Sequence, residues 1–288
     1  MNGLKAKTDI RSLIREKEEQ LVGKKRRIAK YILDNYVQAA FLTAAELAKR
    51  AGVSEPTVVR FAKDFGFKGY PELQDKIQDL VQRELTTINR LKEYHQYLED
   101  SENPAIKTLL MDLRNLEETL YNLDFEKLEE VIERIINADK IIIVAFLMFS
   151  PLAEHMKMVL RRVRDNVTAI TSSPGLFYDE LARSSKDSLV IGLSFPRYSR
   201  NIVECLQAAK KEGVTTVVIT DSELSPLAEY ADYLLLVKCR LVSYIDSLTA
   251  PVSLIGAIGT ALTLKLEQKT LKQLEKLEKL WKEYQVFH

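Results

Sequence analysis

From residue 140 onward the chain alternates two kinds of pattern, and the alternation leaves few folds open. KIIIVAF, DNVTAIT, DSLVIGLSF, GVTTVVIT and ADYLLLV are short β-rich runs. Helical patterns such as SPLAEHMKMVLRRV and SRNIVECLQAAKKEG lie between them. Strand, helix, strand at this spacing implies a parallel sheet covered by helices, since the helix supplies the long crossover that a parallel pair needs. The runs are continuously apolar rather than alternating, as expected where both faces of the sheet are covered. The sequence therefore predicts an α/β domain with a five-stranded parallel sheet flanked by helices.

The preceding part, up to about residue 137, contains few strand-like runs and reads as helix throughout. KKRRIAKYILDNY places Ile28, Tyr31, Ile32 and Tyr36 at helical spacing. LQDKIQDLVQRELTTINRLKEYHQYLED predicts one long polar helix up to the break at SENPA. Residues 1–80 carry 16 Lys plus Arg against 11 Asp plus Glu, and the remaining residues carry 26 against 30. A basic front on a mildly acidic body points to a polyanionic partner for the front alone.

The front also holds LTAAELAKRAGVSEPTVVRFAKDFGFKGYPEL. AAELAKRA supplies a first helix, Gly52 a tight turn, Val53 a plug, and Ser54 an N-cap for a second helix with Pro56 in its first turn. This is a helix-turn-helix pattern, whose second helix enters a DNA major groove by its N-terminal end. Ser54, Glu55, Thr57, Val58 and Arg60 are the predicted base readers. Thr43, Lys63, Lys68 and Tyr70 are the predicted backbone contacts.

These residues resemble the DNA-binding domain of RpiR-type (MurR/RpiR) bacterial transcription regulators. VSEPTVVRFAKDFGFKGYPEL follows that pattern almost position for position. The stretch from LSFPRYSRN to ITDSELSPLAEYADYLLLV is similar to the sugar-isomerase (SIS) domain that follows in the family. The resemblance spans most of the chain. It implies an all-α helix-turn-helix domain over residues 1–85, a helical linker over 86–125 and an SIS-like domain over 126–270. The C-terminal helix 271–288 has an apolar stripe of Leu271, Leu274, Leu277, Trp281 and Tyr284, which either packs on its own domain or meets a partner subunit. A homodimer or homotetramer on a palindromic double-stranded operator is expected.

In an open parallel sheet, ligands sit at the carboxyl ends of strands near helix N-termini. The third run ends at SFPRYSRN, a strand-to-helix turn without the glycines usual in phosphate loops. Arg197 can clamp a phosphate or carboxylate through its guanidinium, or serve as a surface or intersubunit ion-pair partner. Tyr198 is open between ligand contact and packing. The SIS resemblance assigns Ser150, Ser194 and Ser199 to a phosphosugar site, each of which also suits a structural cap. Two departures stand out. Ala145 replaces the family's glycine at the end of the first strand, and Phe146 to Phe149 make the next loop bulky and apolar.

No paired acid and base is visible. His155 and Glu154 stand alone on a helix, and His95 and His288 lie in polar surroundings. The expectation is a regulator controlled by a phosphorylated sugar or related anionic metabolite, not an enzyme, with no metal and no cofactor. Two alternatives remain open, a phosphosugar aldose–ketose isomerase and a regulator whose back domain only oligomerises. Cys205 and Cys239 are far apart and lack metal-ligand spacing. The longest apolar run, Ile141 to Phe149, is well short of the roughly 20 residues of a membrane span. No secretion signal opens the chain, so no membrane partner and a cytoplasmic location are expected.

Overall fold

In the computed structural model the chain forms two compact units, residues 1–108 with 240–245, and residues 109–239 with 246–288. The described residues are 10–18, 20–40, 42–84, 86, 88, 91, 103–240 and 245–287. The far half of the predicted long polar helix, with His95, lies outside them, as does His288.

The first unit is helical: α1 (Ile10–Glu18), α2 (Gly23–Asp34), α3 (Tyr36–Ala39), α4 (Ala44–Ala51), α5 (Glu55–Asp64) and α6 (Tyr70–Glu84). Ile14, Ile28, Leu47, Phe61, Leu73 and Ile77 form the centre of its core. Thr43 starts α4 with a capping box. Its hydroxyl accepts from Glu46 N–H at 3.2 Å, and its own N–H donates to Glu46 Oε2 at 2.7 Å. Gly52 ends α4 in the left-handed conformation, φ 64°, which a glycine takes without a Cβ penalty. Helix α6 locks the motif from behind. Gln74 Nε2 and Tyr70 Oη both donate to the Leu42 carbonyl, at 2.8 and 2.7 Å, and Gln78 Nε2 donates to Ala40 O at 2.7 Å.

α7 (Pro104–Asn122) begins in the first unit and continues into the second. The second unit then runs α8 (Phe125–Asn137), β1 (Ile141–Val144), α9 (Ser150–Leu160), β2 (Val167–Ile170), α10 (Pro174–Leu181), β3 (Leu189–Leu193), α11 (Arg200–Lys211), β4 (Thr215–Thr220), β5 (Tyr233–Leu236), α12 (Thr249–Lys265) and α13 (Glu267–Glu283). The five strands are parallel in the order β2-β1-β3-β4-β5.

Alternate residues of each strand fill two separate cores. Ile141, Ile143, Ile191 and Val217 face the side covered by α8, α9 and α12. Ile142, Val144, Val190 and Val218 face the side covered by α10 and α11. This double burial is why the strand sequences show no polar alternation. At the α9–α12 crossing a Cβ on Gly259 would stand 2.4 Å from Val159 Cγ1, so only glycine lets the two helices approach this closely. On α13, Trp281 packs edge-on against Phe287 and lies under the Arg162 guanidinium, while Leu271 and Tyr284 are exposed. Among the described residues no single helix is long and apolar enough to cross a membrane, and the α12–α13 pair bends by 103° at its break.

Candidate functional site

The two predicted surfaces lie in different units and are built differently. In the first, the outer side of α5 carries Glu55, Pro56, Arg60 and Lys63, all exposed, with Val59 half-buried between them. Thr43, Ser54 and Lys68 are exposed as well. Three predicted contacts are corrected by the packing. Val58 is fully buried in the core with Phe61 and Ala62, and so cannot reach a base. Thr57 is 7% exposed, and its hydroxyl lies 2.8 Å from that of Ser54. Tyr70 is 2% exposed with its hydroxyl committed to Leu42 O, and burial raises its phenol well above the ordinary range. Ser54 occupies the N-cap position, but its hydroxyl meets Thr57 and makes no bond to the helix N–H groups. Pro56 and Val59, which are not among the predicted contacts, share the outer face at the spacing of one helical turn from Arg60 and Lys63.

In the second unit the strand order reverses between β1 and β3. The chain leaves β1 for α9 on one side of the sheet and leaves β3 for α11 on the other, so the carboxyl ends of β1 and β3 mark the switch point at which open α/β sheets hold ligands in a crevice. Both loops carry a non-glycine residue in the left-handed conformation, Leu147 at φ 58° and Arg197 at φ 68°. Such residues cost about 1–3 kcal/mol each and gather at functional loops.

The bulky loop after β1 divides its side chains. Phe146 is buried in one core, and Phe149 in the other, 5.2 Å from the Phe195 ring. Only Leu147 and Met148 face outward. The two phenylalanines therefore fill the cores on either side of the sheet.

Ser150 donates its hydroxyl proton to Thr171 O at 3.2 Å, tying α9 to the end of β2 and leaving the oxygen as an acceptor only. Ser194 is buried at 2% exposure, and its N–H donates to Ile219 O at 3.3 Å. Tyr198 donates to Asp221 Oδ1 at 2.7 Å, so its hydroxyl is held by a buried carboxylate at the end of β4. Ser199 is the N-cap of α11 and makes no side-chain cap bond. The first turn of α11 holds no acidic residue, and Arg200 joins Arg197 as an exposed cation there. Sequence reasoning missed both Arg200 and Asp221.

Other groups do not assemble a site. His155 is half-buried on α9, and the neighbouring Glu154 pairs with Lys157. Cys205 is buried in the core and its thiol is pushed up to about 12, chiefly by burial. Among the described residues no group of His, Cys, Asp and Glu stands together as a metal site. A groove between α8 and Tyr233 is lined by Glu126, Glu129, Glu130 and Glu133 with Arg134 beside them, and Lys265 pairs with Glu129 and Glu133, so the lining is acidic on balance and disfavours anions.

The helix-turn-helix domain model of the rpiR family matches residues 8–84, and the SIS domain model matches residues 134–261. A Haemophilus influenzae protein named an uncharacterized HTH-type transcriptional regulator is 31% identical over 218 residues, 75% of each chain. The sugar isomerase domain of the RpiR transcription factor from Sphaerobacter thermophilus superposes with a TM-score of 0.59 at 26% identity, covering 61% of this chain and 98% of that one. The Vibrio vulnificus NanR protein complexed with ManNAc-6P shares the fold across both domains, with a TM-score of 0.58 at 19% identity over 95% of this chain and 98% of that one. The chain belongs to the RpiR family of HTH-type transcriptional regulators, with an SIS domain behind the DNA-binding domain.

Proposed function

We propose that this regulator is controlled by an anionic metabolite, a phosphorylated sugar or a close relative, held in the β1–β3 crevice. The observation that carries the reading is the N-terminus of α11. It places Ser199, Arg197, Arg200 and the first-turn N–H groups together at the point where the strand order reverses. A helix N-terminus with two cations and no acidic residue in its first turn favours an anion, and the guanidinium supplies what a glycine-rich loop would supply through its amides. Arg197 is the clamp, Ser199 donates, and Tyr198 positions the loop through Asp221. The NanR complex with ManNAc-6P supports a phosphosugar in particular.

On the DNA side, Arg60 and Glu55 read bases while Lys63, Lys68 and Thr43 meet the phosphates. Two copies of the chain bind a two-fold operator in the cytoplasm, and the ligand favours one arrangement of the pair over another. In this reading the protein does no chemistry on the ligand, and Glu154 is engaged by Lys157 on its own helix. A second reading, an SIS domain that only assembles subunits, is favoured by the outward Leu147 and Met148 beside the crevice. A thermal-shift panel of sugar phosphates on the wild type and on Arg197→Ala separates the two. Stabilisation of the wild type that disappears in the variant supports the clamp, and no stabilisation by any of the panel leaves the assembly reading.

A further inference from the structure

The outer face of α5 carries an apolar strip that the core does not explain. Val59 is half-buried, yet the core of the first unit takes in Val53, Val58, Phe61 and Ala62 and leaves it out. A β-branched side chain is a poor choice for a helix position that no core fills, since it loses χ1 freedom against the preceding turn. Pro56, three residues earlier, is exposed and suits the first turn of the helix. Residues three apart on a helix are neighbours, so the proline ring and the valine methyls form one patch. Charged side chains stand around it. Glu55 lies one turn before Val59, Arg60 one turn after Pro56 and Lys63 one turn after Val59, all exposed.

A helix-turn-helix brings this end of its second helix against base edges in the major groove. Neither side chain of the patch can donate or accept a hydrogen bond. The amino group of adenine or cytosine, or the O6 of guanine, would lose water against it and gain no partner, which is costly. Thymine alone among the bases places an apolar group in the major groove, its C5-methyl. We infer, with α5 taken as the base-reading helix, that Pro56 and Val59 select a thymine in each half-site by contact with that methyl group. Arg60 stands four residues from Pro56, about 6 Å of helical rise. The guanine that an arginine suits therefore falls within about two base-pair steps of the thymine.

Deoxyuridine scanning tests the contact, because deoxyuridine keeps every hydrogen-bonding group of thymidine and lacks only the methyl. The probe is a DNA fragment selected from a random pool by the purified full chain, with each thymine of the half-site replaced in turn. Fluorescence anisotropy reads the dissociation constant. Replacement at one thymine, or at two adjacent ones, is expected to raise the constant about four-fold per half-site, the effect of one methyl group returned to water. In Val59→Ala the same replacement is expected to lose most of its effect, while replacements elsewhere behave as in the wild type. Pro56→Ala, at an exposed position, is expected to lose part of the effect and serves if Val59→Ala folds poorly. A selected half-site without thymine, a wild type indifferent to deoxyuridine at every thymine, or an effect kept in full by both variants overturns the thymine contact. Arg60→Ala on the unmodified fragment separates this from the role of α5 itself. Weaker binding by Arg60→Ala without any deoxyuridine effect overturns the thymine contact alone. An unchanged constant for Arg60→Ala overturns α5 as the reading helix and the contact with it.

Discussion

Tyr198 donates its phenolic proton to Asp221 Oδ1 at 2.7 Å and so ties the loop after β3 to the end of β4. Asp221 is 6% exposed, and its carboxylate also lies 3.3 Å from Thr220 Oγ1. Removing the donor leaves a buried charge with one bond fewer, a loss of about 1.5–3 kcal/mol. Tyr198→Phe is expected to lower the unfolding midpoint of the α/β domain in urea without altering the slope. Asp221→Asn, which keeps an accepting oxygen, is expected to cost less. A midpoint for Tyr198→Phe equal to that of the wild type would show that the tie contributes nothing.

The two faces of α5 predict opposite phenotypes for neighbouring residues. Arg60→Ala removes an exposed cation and is expected to weaken DNA binding by about 1–3 kcal/mol with the melting temperature unchanged. Val58→Ala cuts a fully buried side chain and is expected to cost on the order of 2 kcal/mol of stability, with little effect on the DNA affinity of the folded protein. Electrophoretic mobility shift beside thermal melting reads both. The reverse pattern would mean that the helix presents its other face to DNA.

The crossing of α9 and α12 predicts a compensated pair. Gly259→Ala drives a methyl group to 2.4 Å from Val159 Cγ1 and is expected to destabilise by about 1–3 kcal/mol. Val159→Ala removes the opposing atom. The double variant is therefore expected to be more stable than the sum of the two single losses, as a double-mutant cycle measures. Strict additivity would show that the helices separate without cost.

Asp232 predicts part of the acid limb of stability. Burial opposes its ionisation, but the Lys210 ammonium and the N–H and hydroxyl of Thr216 outweigh that and hold its carboxyl below the usual carboxylate range. With the folded value depressed, its contribution is complete above the unfolded value of about 3.9 and is lost as pH falls through the folded value. Asp232→Asn is expected to lower the melting temperature at pH 7, with the gap to the wild type starting to close near pH 4 and closing fully only below the depressed folded value. A difference that stays constant from pH 7 down to pH 2 rules out this linkage.

Much of the fold was legible because it follows from local patterns. The five strands announce themselves as continuous apolar runs, since cores form on both faces of the sheet. The turn at Gly52 is readable from one residue and its neighbours. The inward side of α5 was also present in the sequence, as Val58, Phe61, Ala62 and Phe65 at helical spacing. A rule favouring the N-terminal end of the helix placed Thr57 and Val58 in the groove against that period. Tyr70 looks like a phosphate contact until the Leu42 carbonyl, 28 residues away in the chain, claims its hydroxyl. The crevice was legible only as a strand end. That Phe146 and Phe149 pass to opposite sides of the sheet, and that Tyr198 reaches Asp221, depends on loops from different strands meeting in space.

Control by a metabolite requires coupling between the crevice and the DNA. Fluorescence anisotropy on a DNA fragment selected from a random pool by the purified full chain measures it, with and without a saturating sugar phosphate from the stabilising set. The wild type is predicted to change its DNA dissociation constant by 1–3 kcal/mol, or about 5- to 150-fold, and Arg197→Ala to lose that change. An identical constant with and without every sugar phosphate, or an equal change in Arg197→Ala, would contradict control through this crevice.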